Sequence, residues 1–211
     1  MTVTITRLYP DDTSASRAVS ALGAAGVPDS DISLVASNAD NWYSHPGDVR
    51  AGKTTTSPQT DSAAKGAETG AGVGTAVGGA AGLLAGLGLL AFPGVGPVVA
   101  AGWLVATAVG AVAGAATGGL IGGLTGAGIS EDDAHVYAEG IRRGGSLVTA
   151  RASEADKSRL EALLDRQGSI DVRARGQAYR SAGWKTFDEK SPPYAPDQVK
   201  QDRGLYRRDV M

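Results

Sequence analysis

Apolar and polar residues alternate in three short stretches of the chain, and a period of two is typical of half-buried β-strands. Val3 and Ile5 alternate with threonines, and the same period recurs at Ile32, Leu34 and Ala36. The predicted strands cover 2–6, 32–37 and 170–175, together with the short stretch 147–150. The chain should therefore contain a small sheet whose strands come from both ends of the sequence.

Apolar residues at helical spacing separate these strands, and polar capping residues and glycines delimit the predicted helices. The helices start at Asp11 or Asp12, Ser130 and Ser153, and they end at Gly26, Gly144 and Gly168. With the middle of the chain set aside, the order is β-α-β followed by α-β-α-β. Because a β-α-β-β-α-β order is ferredoxin-like, we predict a ferredoxin-like α+β domain.

The middle of the chain, 69–130, contains no Asp, Glu, Lys, Arg or His. Small residues, mostly glycine, recur every fourth position on both sides of a hairpin turn at Pro93, Gly94, Gly96 and Pro97. Positions i and i+4 share one face of a helix, so these glycines would let a second helix approach closely. We predict two glycine-zipper helices, over 69–92 and 97–127. The packing residues are Gly70, Gly74, Gly78, Gly82, Gly86, Gly102, Gly110, Gly114, Gly118, Gly122 and Gly126.

The other stretches have no regular period. Residues 38–65 are rich in Asn, Asp, Ser, Thr, Gly and Pro, which is typical of a linker, and 176–211 are rich in charge and proline. We predict an extended or disordered tail whose Trp184, Phe187 and Tyr194 dock on a surface, such as a neighbouring subunit. The predicted divisions are a β-α-β half over 1–37, a linker over 38–65, the hairpin over 66–129, an α-β-α-β half over 130–175 and the tail over 176–211.

Composition narrows the function classes. The formal net charge of −2 gives no global attraction to nucleic acid, and the lack of Cys excludes disulfides, thiolate catalysis and cysteine metal sites. The first residues contain no apolar signal-peptide core, so we expect the protein in the cytoplasm or on the cytoplasmic side of the inner membrane. We expect no cofactor, no metal and no nucleic-acid partner.

Two patterns resemble chemical sites, and their context favours a structural interpretation of both. Residues 47–54 match the G-x-x-x-x-G-K-[ST] pattern of a phosphate-binding loop through Lys53 and Thr54, but no buried strand precedes them and no helix pattern follows. His45 and His135 are the only histidines, and neither has further ligands at useful spacing. We therefore predict no catalytic residues and a non-enzymatic protein.

Three parts of the sequence together resemble a known family. They are the N-terminal β-α-β unit, the Pro-Gly-Val-Gly-Pro turn within its Gly/Ala hairpin, and the run from Ala134 to Val148 that contains Tyr-Ala-Glu-Gly-Ile-Arg-Arg-Gly-Gly. Over roughly residues 2–175 the chain resembles bacterial proteins with a general stress protein domain of the YflT type. The resemblance implies a stress-associated, non-catalytic role and supplies no catalytic residues.

Two functional hypotheses follow from the uncharged middle. In the first, the hairpin binds or inserts into the membrane, since about 23 helical residues span about 35 Å against a hydrocarbon core of about 30 Å. The protein would then self-assemble there as a homo-oligomer. In the alternative, it is a soluble homo-oligomeric scaffold or shell whose hairpins form the core of the assembly. A nucleotide-binding module based on Lys53 is the third hypothesis.

Overall fold

The computed structural model of the protein describes residues 2–43, 88–92, 94–105 and 119–206. Within them the fold is mixed α/β, built on one antiparallel sheet of five strands with the spatial order β1-β5-β2-β4-β3. The strands are β1 (Thr2–Tyr9), β2 (Ile32–Ser37), β3 (Gly88–Phe92), β4 (Gly96–Gly102) and β5 (Ser146–Ser153).

Three of the predicted strands, β1, β2 and β5, form one side of this sheet. β5 lies between the other two. Its Ser153 pairs with Thr2 of β1, and its Ala150 pairs with Ile32 of β2. Every residue of β2 is buried, because helices and loops cover both faces of the sheet. Strands covered on both faces need apolar residues at nearly every position, which explains why β2 reads Ile-Ser-Leu-Val-Ala-Ser.

Two helices begin at their predicted capping residues, whereas the helix predicted to start at Ser153 starts at Lys157, because Ser153 ends a strand. Asp11 accepts a hydrogen bond from the Ser14 amide, and Ser130 accepts one from Asp133. The described helices are α1 (Asp12–Ala24), α2 (Leu120–Gly126), α3 (Glu131–Arg142), α4 (Lys157–Asp165), α5 (Val172–Ser181) and α6 (Pro196–Tyr206), with a short 3₁₀ turn at Asp29–Asp31.

The two faces of the sheet carry separate apolar clusters. The first face packs against α1 and α4. The second packs against α2, α3 and residues 172–206, which we call the C-terminal segment. Side chains of one strand alternate between the clusters: Leu34 lies in the first and Val35 in the second. The first cluster includes Ile5, Tyr9, Leu22, Leu34, Val148, Leu160 and Leu164, and the second includes Leu8, Val98, Leu104, Leu124, Ile141, Leu147 and Phe187.

The predicted hairpin helices are wrong around the turn. Residues 88–92 and 96–102 are strands that pair antiparallel, Gly88 opposite Ala100 and Phe92 opposite Gly96. Gly94, Gly96 and Gly102 have φ of +71°, +95° and +97°, which a helix does not accommodate. Helix is present at Leu120–Gly126, near the end of the second predicted arm. The rest of the predicted hairpin, 66–87 and 106–118, lies outside the described residues.

The fourth predicted strand is also wrong. Only Ile170 bridges to β1, where its amide donates to the Leu8 carbonyl at 2.8 Å. The chain then turns into α5, because the Asp171 carboxylate accepts hydrogen bonds from the amides of Arg173 and Ala174. A local cap therefore overrides the alternating pattern of 170–175.

The tail is not the extended or disordered arm that its composition predicted. It contains α5 and α6, and Phe187 and Val199 are 6% and 0% exposed within the same chain. The predicted start of the linker at residue 38 is also wrong, because residues up to Trp42 contact the folded core. The Trp42 indole donates to the Ser37 carbonyl at 2.6 Å and packs on the first cluster. Residues 44–65 of that linker lie outside the described part of the chain.

Candidate functional site: an arginine pair enclosed by the C-terminal segment

A largely buried group of charged side chains lies at the C-terminal end of α3. Glu139, Arg142 and Arg143 occupy positions i, i+3 and i+4, so the helix brings all three side chains to one side. Glu139 is fully buried, and the side chains of Arg142 and Arg143 are 12% and 17% exposed. The cluster is therefore largely withdrawn from water.

The Glu139 carboxylate lies between the two guanidinium groups. Its Oε1 accepts from Arg143 Nε at 2.6 Å, and its Oε2 lies 3.3 Å from Arg142 Nε without hydrogen-bond geometry. Burial by itself would lower the pKa of Arg143, but the hydrogen bond to Glu139 and the charge of that carboxylate outweigh it and raise the pKa. Arg143 thus stays charged, because the bonded carboxylate compensates for the hydration that the buried cation has lost.

The C-terminal segment closes the cluster from outside. Asp202 on α6 accepts from Arg143 Nη1 at 3.3 Å. The Tyr194 ring centroid lies 4.9 Å from the Arg142 guanidinium carbon, and the Tyr179 ring lies 4.4 Å from that of Arg143. Two carboxylates balance two cations, and two aromatic rings cover them.

The run Tyr-Ala-Glu-Gly-Ile-Arg-Arg-Gly-Gly places this cluster against the sheet. Burial raises the pKa of the Tyr137 hydroxyl to about 12, so the group remains a donor, and it donates to the Thr6 carbonyl at 3.3 Å. A Cβ on Gly140 would lie 2.6 Å from a methyl group of Leu8, so a larger residue at this position would displace the buried Leu8 side chain. Gly144 has φ of +96° and ends the helix.

The turn between β3 and β4 also depends on the C-terminal segment. A Cβ on Gly94 would lie 2.7 Å from the Asp188 carbonyl oxygen, and one on Gly96 would lie 2.7 Å from Pro193 Cβ. The glycines of the predicted hairpin turn are thus required by close contact with residues 188–193. Pro97 is exposed on β4, and Pro93 lies outside the described residues.

The predicted packing glycines fall into two groups. Gly102 lies against β2, where a Cβ would overlap the Ile32 carbonyl and lie 2.6 Å from Ser33 Cα. Gly126 on α2 has no atom within 4 Å of such a Cβ, and Gly122 is half-buried on the same helix. The others lie outside the described residues: Gly70, Gly74, Gly78, Gly82, Gly86, Gly110, Gly114 and Gly118.

A second polar surface lies at one end of the first face. Gly26, Asp31, Arg151 and Arg159 line an open groove of about 750 Å³. Its cations are already paired: Arg151 lies 2.8 Å from Asp31, and Arg159 lies 2.9 Å from Asp156. The groove therefore offers an incoming ligand no unpaired cation from these two arginines.

The candidate chemical residues do not form a site in the described part of the chain. His135 lies 3.9 Å from Glu131, and no group of three or more His, Asp or Glu there has the spacing of a metal site. His45 and the 47–54 loop fall outside it. None of the described helices is long and apolar enough to cross a membrane.

The sequence analysis missed the enclosed arginine pair. The i, i+3, i+4 spacing of one acid and two arginines was a visible signal, but it does not distinguish an exposed ion pair from a buried one. The aromatic rings that decide the burial come from residues 179–194, which local patterns assigned to a free tail.

Comparison with protein-family models, curated proteins and solved structures found no match to this chain.

Proposed function

We propose that this chain is a non-enzymatic bacterial stress protein of the YflT-like type that self-assembles and associates with the cytoplasmic side of the membrane through its uncharged middle. The observation that supports this most is the position of β3. This strand is built from the uncharged stretch and is last in the sheet order. Its Leu89 is 40% exposed and is the one large hydrophobic residue exposed to that degree in the described residues.

An outermost strand of this kind favours association. β3 reads Gly-Leu-Leu-Ala-Phe, without a charge or an internal proline, and the described residues pair with it only on the β4 side. Natural proteins usually protect such strands with charges, prolines or bulges, because unprotected ones pair with other chains. The glycines at four-residue spacing in 69–87 and 106–118 would add close packing between copies.

The domain that carries this stretch is proposed to be ferredoxin-like. In support, β5 lies between β1 and β2, and the paired helices α1 and α4 cover one face. The Ile170–Leu8 bridge occupies the place beside β1 where a fourth strand would complete the interleaved β-α-β units. The hairpin of β3 and β4 then extends the sheet beyond β2.

A soluble homo-oligomer is the second candidate, and one observation favours it. Val98, Val99, Leu104 and Leu124 come from the uncharged stretch, yet each is at most 1% exposed within the protein's own core. That part of the stretch is occupied by protein contacts rather than left for lipid.

Vesicle flotation together with light scattering distinguishes the candidates. Under the first, the full chain floats with liposomes and forms larger species. Under the second, it stays with the aqueous fraction as a defined, detergent-free oligomer. A monomer that never floats would contradict both.

One variant tests the role of β3 in assembly. Leu89→Arg places a charge on the outermost strand, so we expect the oligomer to dissociate. Ser20→Arg, at an exposed position of α1, is the matched control and should leave the assembly intact. Unchanged assembly in Leu89→Arg would exclude β3 as the contact.

A further inference from the structure

The outer surface of α5 and of the turn that follows it, residues 172–187, carries a concentration of positive charge that the proposed function does not use. We call it the α5 surface. Residues 172–187 contain Arg173, Arg175, Arg180 and Lys185 and no Asp or Glu. Arg173, Arg180 and Lys185 are exposed. Since the whole chain has a formal net charge of −2, this surface is opposite in sign to the average of the protein.

Three cations of this surface lack acidic partners in the described part of the chain, as Arg17 and Arg166 also do. Arg173, Arg180 and Lys185 form no ion pair within the described residues, although Arg180 lies 5.8 Å from the Trp184 ring centroid. Elsewhere in the described chain, carboxylates pair with Arg7, Arg142, Arg143, Arg151 and Arg159. The positive charge of α5 is therefore available to a partner.

The buried side of α5 holds this surface in place. A Cβ on Gly176 would lie 3.0 Å from a methyl group of Val136 on α3, and Tyr179 is 4% exposed. With these residues facing inward, the exposed positions of α5 are Arg173, Gln177, Arg180, two alanines and a serine. The cations therefore lie on a helix surface with little apolar bulk beside them.

We propose that the α5 surface docks on the anionic headgroups of phospholipids and orients the protein on the membrane. The proposal rests on the membrane association proposed above and names the surface that makes the contact. Trp184 supports lipid over nucleic acid, because it is only half-buried and so keeps part of its side chain at the surface next to Arg180. Tryptophan beside cations is typical of proteins at the membrane–water interface.

The expected strength follows from the charge count. Each lysine or arginine near an anionic surface contributes roughly fivefold to binding, so three contribute on the order of a hundredfold. This attraction is screened within a Debye length of about 8 Å at physiological salt. Binding should therefore weaken as salt is raised.

The test is flotation of the full chain with vesicles of phosphatidylcholine alone and of phosphatidylcholine with phosphatidylglycerol. The triple variant Arg173→Gln, Arg180→Gln, Lys185→Gln should lose roughly a hundredfold in affinity for the anionic vesicles. The matched control, Lys157→Gln, Arg159→Gln, Arg166→Gln, removes the same charge from α4 and should bind like the unaltered chain. Circular dichroism confirms that both variants are folded.

Each outcome decides between the proposals. Equal losses in the two triple variants would mean that net charge alone acts, which overturns the role of α5. Equal binding to both vesicle types, unaffected by the α5 variant, would overturn this inference while leaving membrane association in place. An unaltered chain that floats with neither vesicle overturns the membrane proposal too. Tighter binding to a DNA or RNA oligonucleotide than to vesicles would assign the surface to nucleic acid instead.

Discussion

The two faces of the sheet are built in different ways. The first face is closed by α1 and α4, the helices of the β-α-β unit and of the segment after β5, and its cluster is almost entirely aliphatic. The second face is closed by α3, which directly precedes β5, and by two parts of the chain that come from far away in sequence: the uncharged middle and the C-terminal segment. It also contains Glu139, the one charged residue that is fully buried in the described part of the chain. Elements that close a sheet from nearby in sequence are recognisable from periodicity, whereas those that arrive from far away are not.

The largest expected effect lies at Gly102, where the uncharged middle meets β2. Gly102→Ala should lower the free energy of unfolding by about 4–5 kcal/mol, since it adds both backbone strain at φ +97° and overlap with Ile32 and Ser33. Gly126→Ala is the control from the same predicted zipper and should cost nothing, because its Cβ meets open space. Chemical denaturation measures both. Equal losses would mean that both glycines serve the same close packing.

Glu139 tests whether the second face depends on its buried charge. Glu139→Ala should cost about 3–4 kcal/mol, because two partly buried arginines lose their shared carboxylate. Glu161→Ala is the comparison on the first face, where the pair with Arg7 is 3.7 Å long and more exposed, and it should cost less than about 0.5 kcal/mol. Urea midpoints of the two variants give the difference. Similar midpoints would show that the enclosed cluster is no more important than a surface ion pair.

Phe187 tests whether the C-terminal segment is part of the second core. Phe187→Ala should cost about 3 kcal/mol, since the ring is 6% exposed in the cluster beneath the segment. Pro192→Ala, exposed in the same segment, should leave thermal stability unchanged. A tail that behaves as a free arm would show no change in either variant.

The smallest expected effect is a pH dependence on the first face. The hydrogen bond from Arg7 is the main cause that lowers the pKa of Asp165 below its ordinary value of 3.8. The pair therefore stabilises the fold above the unfolded-state pKa, and that contribution is lost as pH falls through the lowered one. Because the Asp165 side chain is 53% exposed, solvent screening limits Asp165→Asn to a cost of about 0.5 kcal/mol at pH 7.

Urea titrations at pH 7 and pH 3 check this dependence. The loss of unfolding free energy in Asp165→Asn should shrink at the lower pH. The control Glu154→Gln, which changes an exposed carboxylate, should match the unaltered protein at both pH values. A deficit that is constant with pH would exclude the ion pair as its source.

The sequence by itself determined the elements whose signals are local. Alternation located β1 and β2, the short stretch 147–150 located β5, and capping residues such as Asp11 and Ser130 marked where helices begin. The reversal of the chain around Gly94 and Gly96 was also readable, because few sequences other than glycine and proline runs turn so tightly.

The tertiary structure alone decided what the uncharged middle and the tail become. Residues 88–92 and 97–102 continue stretches whose small residues recur at helical spacing, but pairing of β4 with β2 and with β3 supplies backbone hydrogen bonds that make them strands. Glu139 and the tail aromatics acquired their roles only by meeting, since burial depends on contacts between residues far apart in sequence. Period and composition indicate the conformation that a segment prefers in isolation. The conformation of these segments depends instead on the residues that pair with them and pack over them.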